Sequence, residues 1–97
     1  MPSRQPLDAD ALGAALRDLP GWALEGDRLV KAYRFADFRE AVGFVVRLAF
    51  EAEAMDHHPE LANVYDRVSV ALTTHDAGHR VTAMDLELAR RIEALVR

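Results

Sequence analysis

Three of the four histidines stand at junctions between patterned segments. His57 and His58 follow a long apolar-periodic stretch and precede Pro59, and His75 follows the alternating run Val68 to Thr74. Junctions between rigid elements hold reactive side chains while leaving them open to a ligand. Carboxylates sit alongside at Glu53, Asp56 and Asp76, and hydroxyls at Thr73 and Thr74. Imidazole, with an unperturbed pKa of about 6.5, serves as acid or base near neutrality, and a neighbouring carboxylate fixes its tautomer. Such a set suits loss of water: an acid protonates a leaving hydroxyl while a base takes a proton from the adjacent atom. No nucleophile is required. The Ser and Thr residues lack a nucleophile-elbow context, and no phosphate-cradling glycine motif is present.

Spacing alone leaves other roles open. One of the adjacent histidines could cap a helix C-terminus and the other be solvated. A metal site could form if His57, His75, His79 and a carboxylate converged, although side chains adjacent in sequence diverge and the His-x-x-x-His helix spacing is missing.

The elements that would position these residues can be read from pattern. Residues 1–7 read as a loose lead-in. Asp8 or Asp10 caps a short helix bearing Leu12, Leu16 and Leu19, which Pro20-Gly21 ends. Two β-like runs, Trp22 to Glu25 and Arg28 to Phe35, flank Gly26-Asp27, a hairpin signal of type II′ character. Asp37 with Glu40 reads as a capping box opening a helix to about Met55. Its stripe holds Phe38, Ala41, Val42, Val45, Leu48, Ala49 and Ala52, and Phe44, Val46 and Phe50 widen it beyond one core face. That width predicts a second interface, with another copy of the chain. Pro59 blocks continuation. Leu61 to Tyr65 and Val68 to Thr74 predict a second hairpin turning at Asp66-Arg67. Thr82 with Asp85 opens a last helix with Leu88, Ile92, Leu95 and Val96 on one face, and Arg90, Arg91 and Arg97 toward its C-terminus. The order helix-hairpin-helix-hairpin-helix predicts an α+β domain: one four-stranded antiparallel sheet with three helices packed on one face.

The 97 residues suit a single domain, 1–97. A core of this size is modest, which favours self-association. There is no cysteine, so disulfides, thiolate ligands and cysteine nucleophiles are excluded. The net charge is −4 with acids and bases interleaved, and no basic stretch tracks phosphates, so no direct nucleic-acid binding is expected. No apolar run approaches the roughly 20 residues that span a bilayer, and the first residues have no secretory h-region. A cytoplasmic location without membrane contact is the expectation.

The stretch Glu53-Ala54-Met55-Asp56-His57-His58-Pro59-Glu60, then Asn63-Val64-Tyr65, then Leu72-Thr73-Thr74-His75-Asp76-Ala77-Gly78 resembles the signature of pterin-4a-carbinolamine dehydratases. Gly21-Trp22, Tyr33 to Phe38, Asp85 and Leu88-Ala89 fit as well, so the resemblance runs from about residue 12 to 95. It implies the same α+β fold, homodimers or homotetramers, and dehydration of 4a-hydroxytetrahydropterin to quinonoid dihydropterin, with no metal and no cofactor. By that match His57, His58 and His75 are catalytic. Glu53, Asp56, Pro59, Thr73, Thr74 and Asp76 are substrate-binding. Two departures stand out. Leu61 occupies a position where the family usually has Trp. The connection Ala77 to Thr82 is one residue longer than usual and contains His79, which reads as a solvated loop residue. Two rival expectations accompany the dehydratase: a dimerising module that binds another protein, and a small metal-binding protein using the four histidines.

Overall fold

The computed structural model describes residues 2–96. Helix α1 spans Ala9–Arg17, β1 Ala23–Glu25, β2 Arg28–Arg34, α2 Phe38–Met55, β3 Glu60–Val64, β4 Arg67–Leu72 and α3 Ala83–Leu95, with a 3₁₀ turn at His75–Ala77. The strands form one antiparallel sheet in the order β1-β2-β4-β3, so the α+β architecture is the expected one. β2 lies beside β4, with Leu29 opposite Leu72 and Tyr33 opposite Val68.

The strand period sorts the sheet's two faces. Leu29, Tyr33, Val68, Val70 and Leu72 are buried in one core with Ala41, Phe44, Leu48, Leu88, Ala89 and Ile92 from the helices. Arg28, Ala32, Arg34, Arg67 and Ser69 lie exposed on the opposite face. Phe44 fills the centre of the core, its ring 5.0 Å from Tyr33 and 4.9 Å from Phe35. Truncating a fully buried Phe costs roughly 3–5 kcal/mol, so Phe44 is a main tie between α2 and the sheet.

Local chemistry explains the element ends. Gly26 has φ of 60° in the first hairpin, as a two-residue type II′ turn requires. The Asp37 carboxylate accepts from the Glu40 amide and caps α2. Glu40 reaches back one residue further than a capping box would, accepting from the Ala36 amide. Thr82 and Asp85 form the full reciprocal box at α3.

Four readings of pattern are corrected. The second hairpin turns at Tyr65-Asp66, because Val64 pairs with Arg67 and Tyr65 takes φ of 54°. β4 stops at Leu72, leaving Thr73 and Thr74 in the connection to the 3₁₀ turn. The core stripe of α2 is Ala41, Phe44, Leu48, Ala52 and Met55, whereas Phe38, Val42, Val46 and Phe50 are exposed. A helix apolar on both sides gives no period to fix its rotation. Finally, the lead-in is anchored: the Leu7 amide donates to the Val81 carbonyl and Pro6 bridges to Thr82.

Candidate active site

Helix α2 ends in a left-handed residue, and that ending aims His57 inward. Asp56 takes φ 50° and ψ 45°, the Asp56 amide donates to Glu53 O, and the His57 amide donates to Ala52 O. This is the Schellman pattern, here with Asp in the place Gly usually takes. It turns the chain under the helix, so His57 is buried while His58 stays exposed.

Inside, His57 Nε2 and Asp85 Oδ1 share a hydrogen bond of 2.5 Å. The other Asp85 oxygen accepts from Thr74 Oγ1 at 2.9 Å and from the Thr82 amide at 2.8 Å. Thr74 has one hydroxyl proton and gives it to Asp85. Thr82 therefore donates across the 2.7 Å contact between the two hydroxyls, and Thr82 Oγ1 accepts from the Met84 amide. Among the described residues no buried side-chain polar atom lacks a hydrogen-bond partner, and both Asp85 oxygens are engaged, as a buried carboxylate needs. The Asp85 contact engages Nε2, so Nδ1 is the ring nitrogen of His57 left for a ligand.

A polar cavity of about 380 Å³ opens in front of this network, lined by Arg4, Asp56, His57, His58, Thr73, His75 and Asp76. Of the residues singled out from sequence, the structure brings His57, His58, His75, Asp56, Thr73 and Asp76 to one opening. Thr74 lies behind the wall, fully buried, with its hydroxyl engaged. Glu53 and Pro59 line the neighbouring apolar groove between α2 and β3, together with His58 and Leu61. Glu53 is tied to the cavity through His58 Nε2, 2.8 Å from Glu53 Oε1. Thr73 donates to the Asp27 carbonyl, fastening the cavity rim to the first hairpin. His79, read from sequence as a solvated loop residue, is exposed but lies with its ring 4.6 Å from that of His75.

Two contributors were missed by sequence reasoning. Asp85 was read as part of a cap and as a position that fits the family resemblance, with no part in the site, yet it shares a helical stripe with Leu88, Ala89 and Ile92. An acid on an apolar stripe is the signal that could have found it. Arg4 carried no signal, because a long-range contact places it. Among the described residues, no group of three or more His, Asp or Glu side chains is placed to hold a metal ion.

The arrangement is a set of imidazoles facing one opening, one of them held by a buried carboxylate. It can deliver and remove protons on a ligand bound there. Residues 5–95 match the family model described as pterin 4 alpha carbinolamine dehydratase. A protein of Opitutus terrae is 66% identical over 80 residues, covering 82% of this chain and 82% of its own. One from Bradyrhizobium sp. (strain ORS 278) is 53% identical over 91 residues, covering 92% and 90%. Both carry the name "Putative pterin-4-alpha-carbinolamine dehydratase". A crystal structure described as transcriptional coactivator/pterin dehydratase from Brucella melitensis superposes with a TM-score of 0.91 at 38% identity, over 96% of this chain and 100% of that one.

Proposed function

The chain belongs to the pterin-4a-carbinolamine dehydratase family, and from that premise we propose that it removes water from 4a-hydroxytetrahydropterin at the histidine-lined cavity. In this reaction the bond from C4a to its hydroxyl oxygen breaks as that oxygen gains a proton. The proton on N5 leaves, and its electron pair forms the new double bond between N5 and C4a. The products are water and quinonoid dihydropterin. The task is two proton transfers on adjacent atoms, which asks for an acid and a base facing one cavity.

The observation that supports this reading best is the buried pair His57–Asp85 at that cavity, with His75 lining the same opening. His57 and His75 act as the acid–base pair, and His58, held by Glu53, positions the ring. Asp56, Thr73 and Asp76 contact the substrate. Thr74 serves through Asp85, and Pro59 shapes the edge beside the apolar groove. The whole chain acts as one domain in the cytoplasm, without metal or cofactor. It works as a homodimer or homotetramer, which would cover Val42, Val46 and Phe50 on α2 and the exposed edge strand β3. No helix among the described residues is long and apolar enough to cross a membrane.

The experiment is to add the purified protein to a reaction that generates 4a-hydroxytetrahydropterin and follow quinonoid dihydropterin. Faster formation supports the reading, and an unchanged rate contradicts it. A second reading, a module that binds another protein, draws on the coactivator description of the Brucella structure and on the exposed apolar side of α2. It gives no reason for a buried histidine hydrogen-bonded to a buried carboxylate, so we rank it second.

A further inference from the structure

The segment before α1 crosses to the cavity. Its anchor is the bridge of Pro6 to Thr82 and the hydrogen bond of the Leu7 amide to Val81 O, 3.1 Å long. Leu7 also packs against the core. Two residues upstream of that anchor, the Arg4 guanidinium reaches the cavity wall. Its Nη2 donates to the Asp56 carbonyl at 3.3 Å, and its Nη1 lies 3.8 Å from Asp76 Oδ2. These contacts leave part of its five-donor fork unused.

The cavity's other groups make that fork informative. Asp56 and Asp76 are carboxylates, and the Thr73 hydroxyl proton is given to Asp27 O. Arg4 is thus the one permanently charged donor among the lining residues. A pterin ring carries N–H donors, which carboxylates accept, and a carbonyl oxygen beside C4a, which needs a donor. We propose that Arg4 is a substrate-binding residue, carried by the strap 2–7, that donates to the carbonyl oxygen of the bound pterin. This rests on the pterin reading above.

The test compares wild type, Arg4→Ala and Arg4→Lys in two assays: fluorescence titration with a stable dihydropterin, and steady-state dehydration. A hydrogen bond from a charged donor contributes about 1.5–3 kcal/mol, so Arg4→Ala should weaken binding and raise KM by about tenfold or more. Its kcat should stay within about twofold, as for a contact made equally in ground and transition states. Arg4→Lys, a charge without the fork, should fall between. Unchanged binding in Arg4→Ala overturns the proposal. So does a loss of melting temperature and kcat together that Arg4→Lys fully restores, because that marks a brace on Asp76. If wild type binds the dihydropterin but does not dehydrate its substrate, the proposed function fails and the binding arm still judges Arg4. If wild type does not bind the dihydropterin, both fail.

Discussion

His57 Nε2 lies 2.5 Å from Asp85 Oδ1, a contact between residues 28 apart in sequence that ties the end of α2 to the first turn of α3. Asp85 is fully buried and His57 nearly so.

Asp85→Asn should therefore lower dehydration more than it lowers stability. Asn can offer His57 an amide proton in place of an acceptor, which favours the wrong tautomer. The expected loss in kcat is about 10²-fold or more, the scale of general acid–base catalysis. Thermal unfolding alongside the kinetics separates the two effects. Near-normal kcat in a folded Asp85→Asn protein contradicts the role given to this pair.

Thr74→Val keeps the side chain's shape and removes its hydroxyl. Asp85 then loses a donor and the Thr82 hydroxyl an acceptor, both buried. The expected cost is about 1–3 kcal/mol in urea unfolding. A change well below 1 kcal/mol would show that the hydroxyl chain contributes little.

A second cluster predicts the pH limits of the fold. Glu93 Oε1 accepts from Trp22 Nε1, Lys31 Nζ and Tyr33 Oη, joining α3 to the first hairpin. Burial alone would raise the Glu93 carboxyl, but its donors Lys31, Tyr33 and Trp22, with the Lys31 charge, outweigh burial and hold it below the usual range. Burial, and then the Glu93 carboxylate, push the Tyr33 hydroxyl well above its ordinary value. For Glu93, the unfolded chain takes up its proton first as pH falls. Its contribution is present above the ordinary carboxylate value and is lost on acidification through the lower folded value. For Tyr33, the unfolded chain ionises first, so stability falls as pH rises above about 10. Glu93→Gln should flatten the acid limb, and Tyr33→Phe the alkaline limb, of stability measured by denaturant unfolding. Limbs unchanged by these substitutions would contradict the assignment.

Phe50 is 72% exposed on the outer side of α2. If that side packs against another copy, Phe50→Asp should shift sedimentation from dimer or tetramer toward monomer and leave helix content unchanged. A wild type that sediments as a monomer at all concentrations would contradict the association.

What could be read in the sequence was what local rules decide. The caps at Asp37 and Thr82, the Gly26 turn and the alternation in Val68, Val70 and Leu72 each set an element by short-range chemistry, and together they gave the sheet and helices. The rotation of α2 could not be read, because Val42, Val46 and Phe50 are as apolar as Phe44 and Leu48. The histidines stood out by their junction positions. Their buried support did not, because His57 is held by Asp85, and Asp85 by Thr74 and Thr82, residues joined to His57 only through the fold. Arg4 was invisible for the same reason: the anchor of its strap is the distant Val81–Thr82 segment.

The measurement that bears most directly on the central claim is stopped-flow loss of 4a-hydroxytetrahydropterin absorbance, with wild type and His75→Ala side by side. The account predicts clear acceleration by wild type and a loss of about 10²–10⁴-fold in a folded His75→Ala protein. Equal rates for the two, or no acceleration by folded wild type, would contradict it.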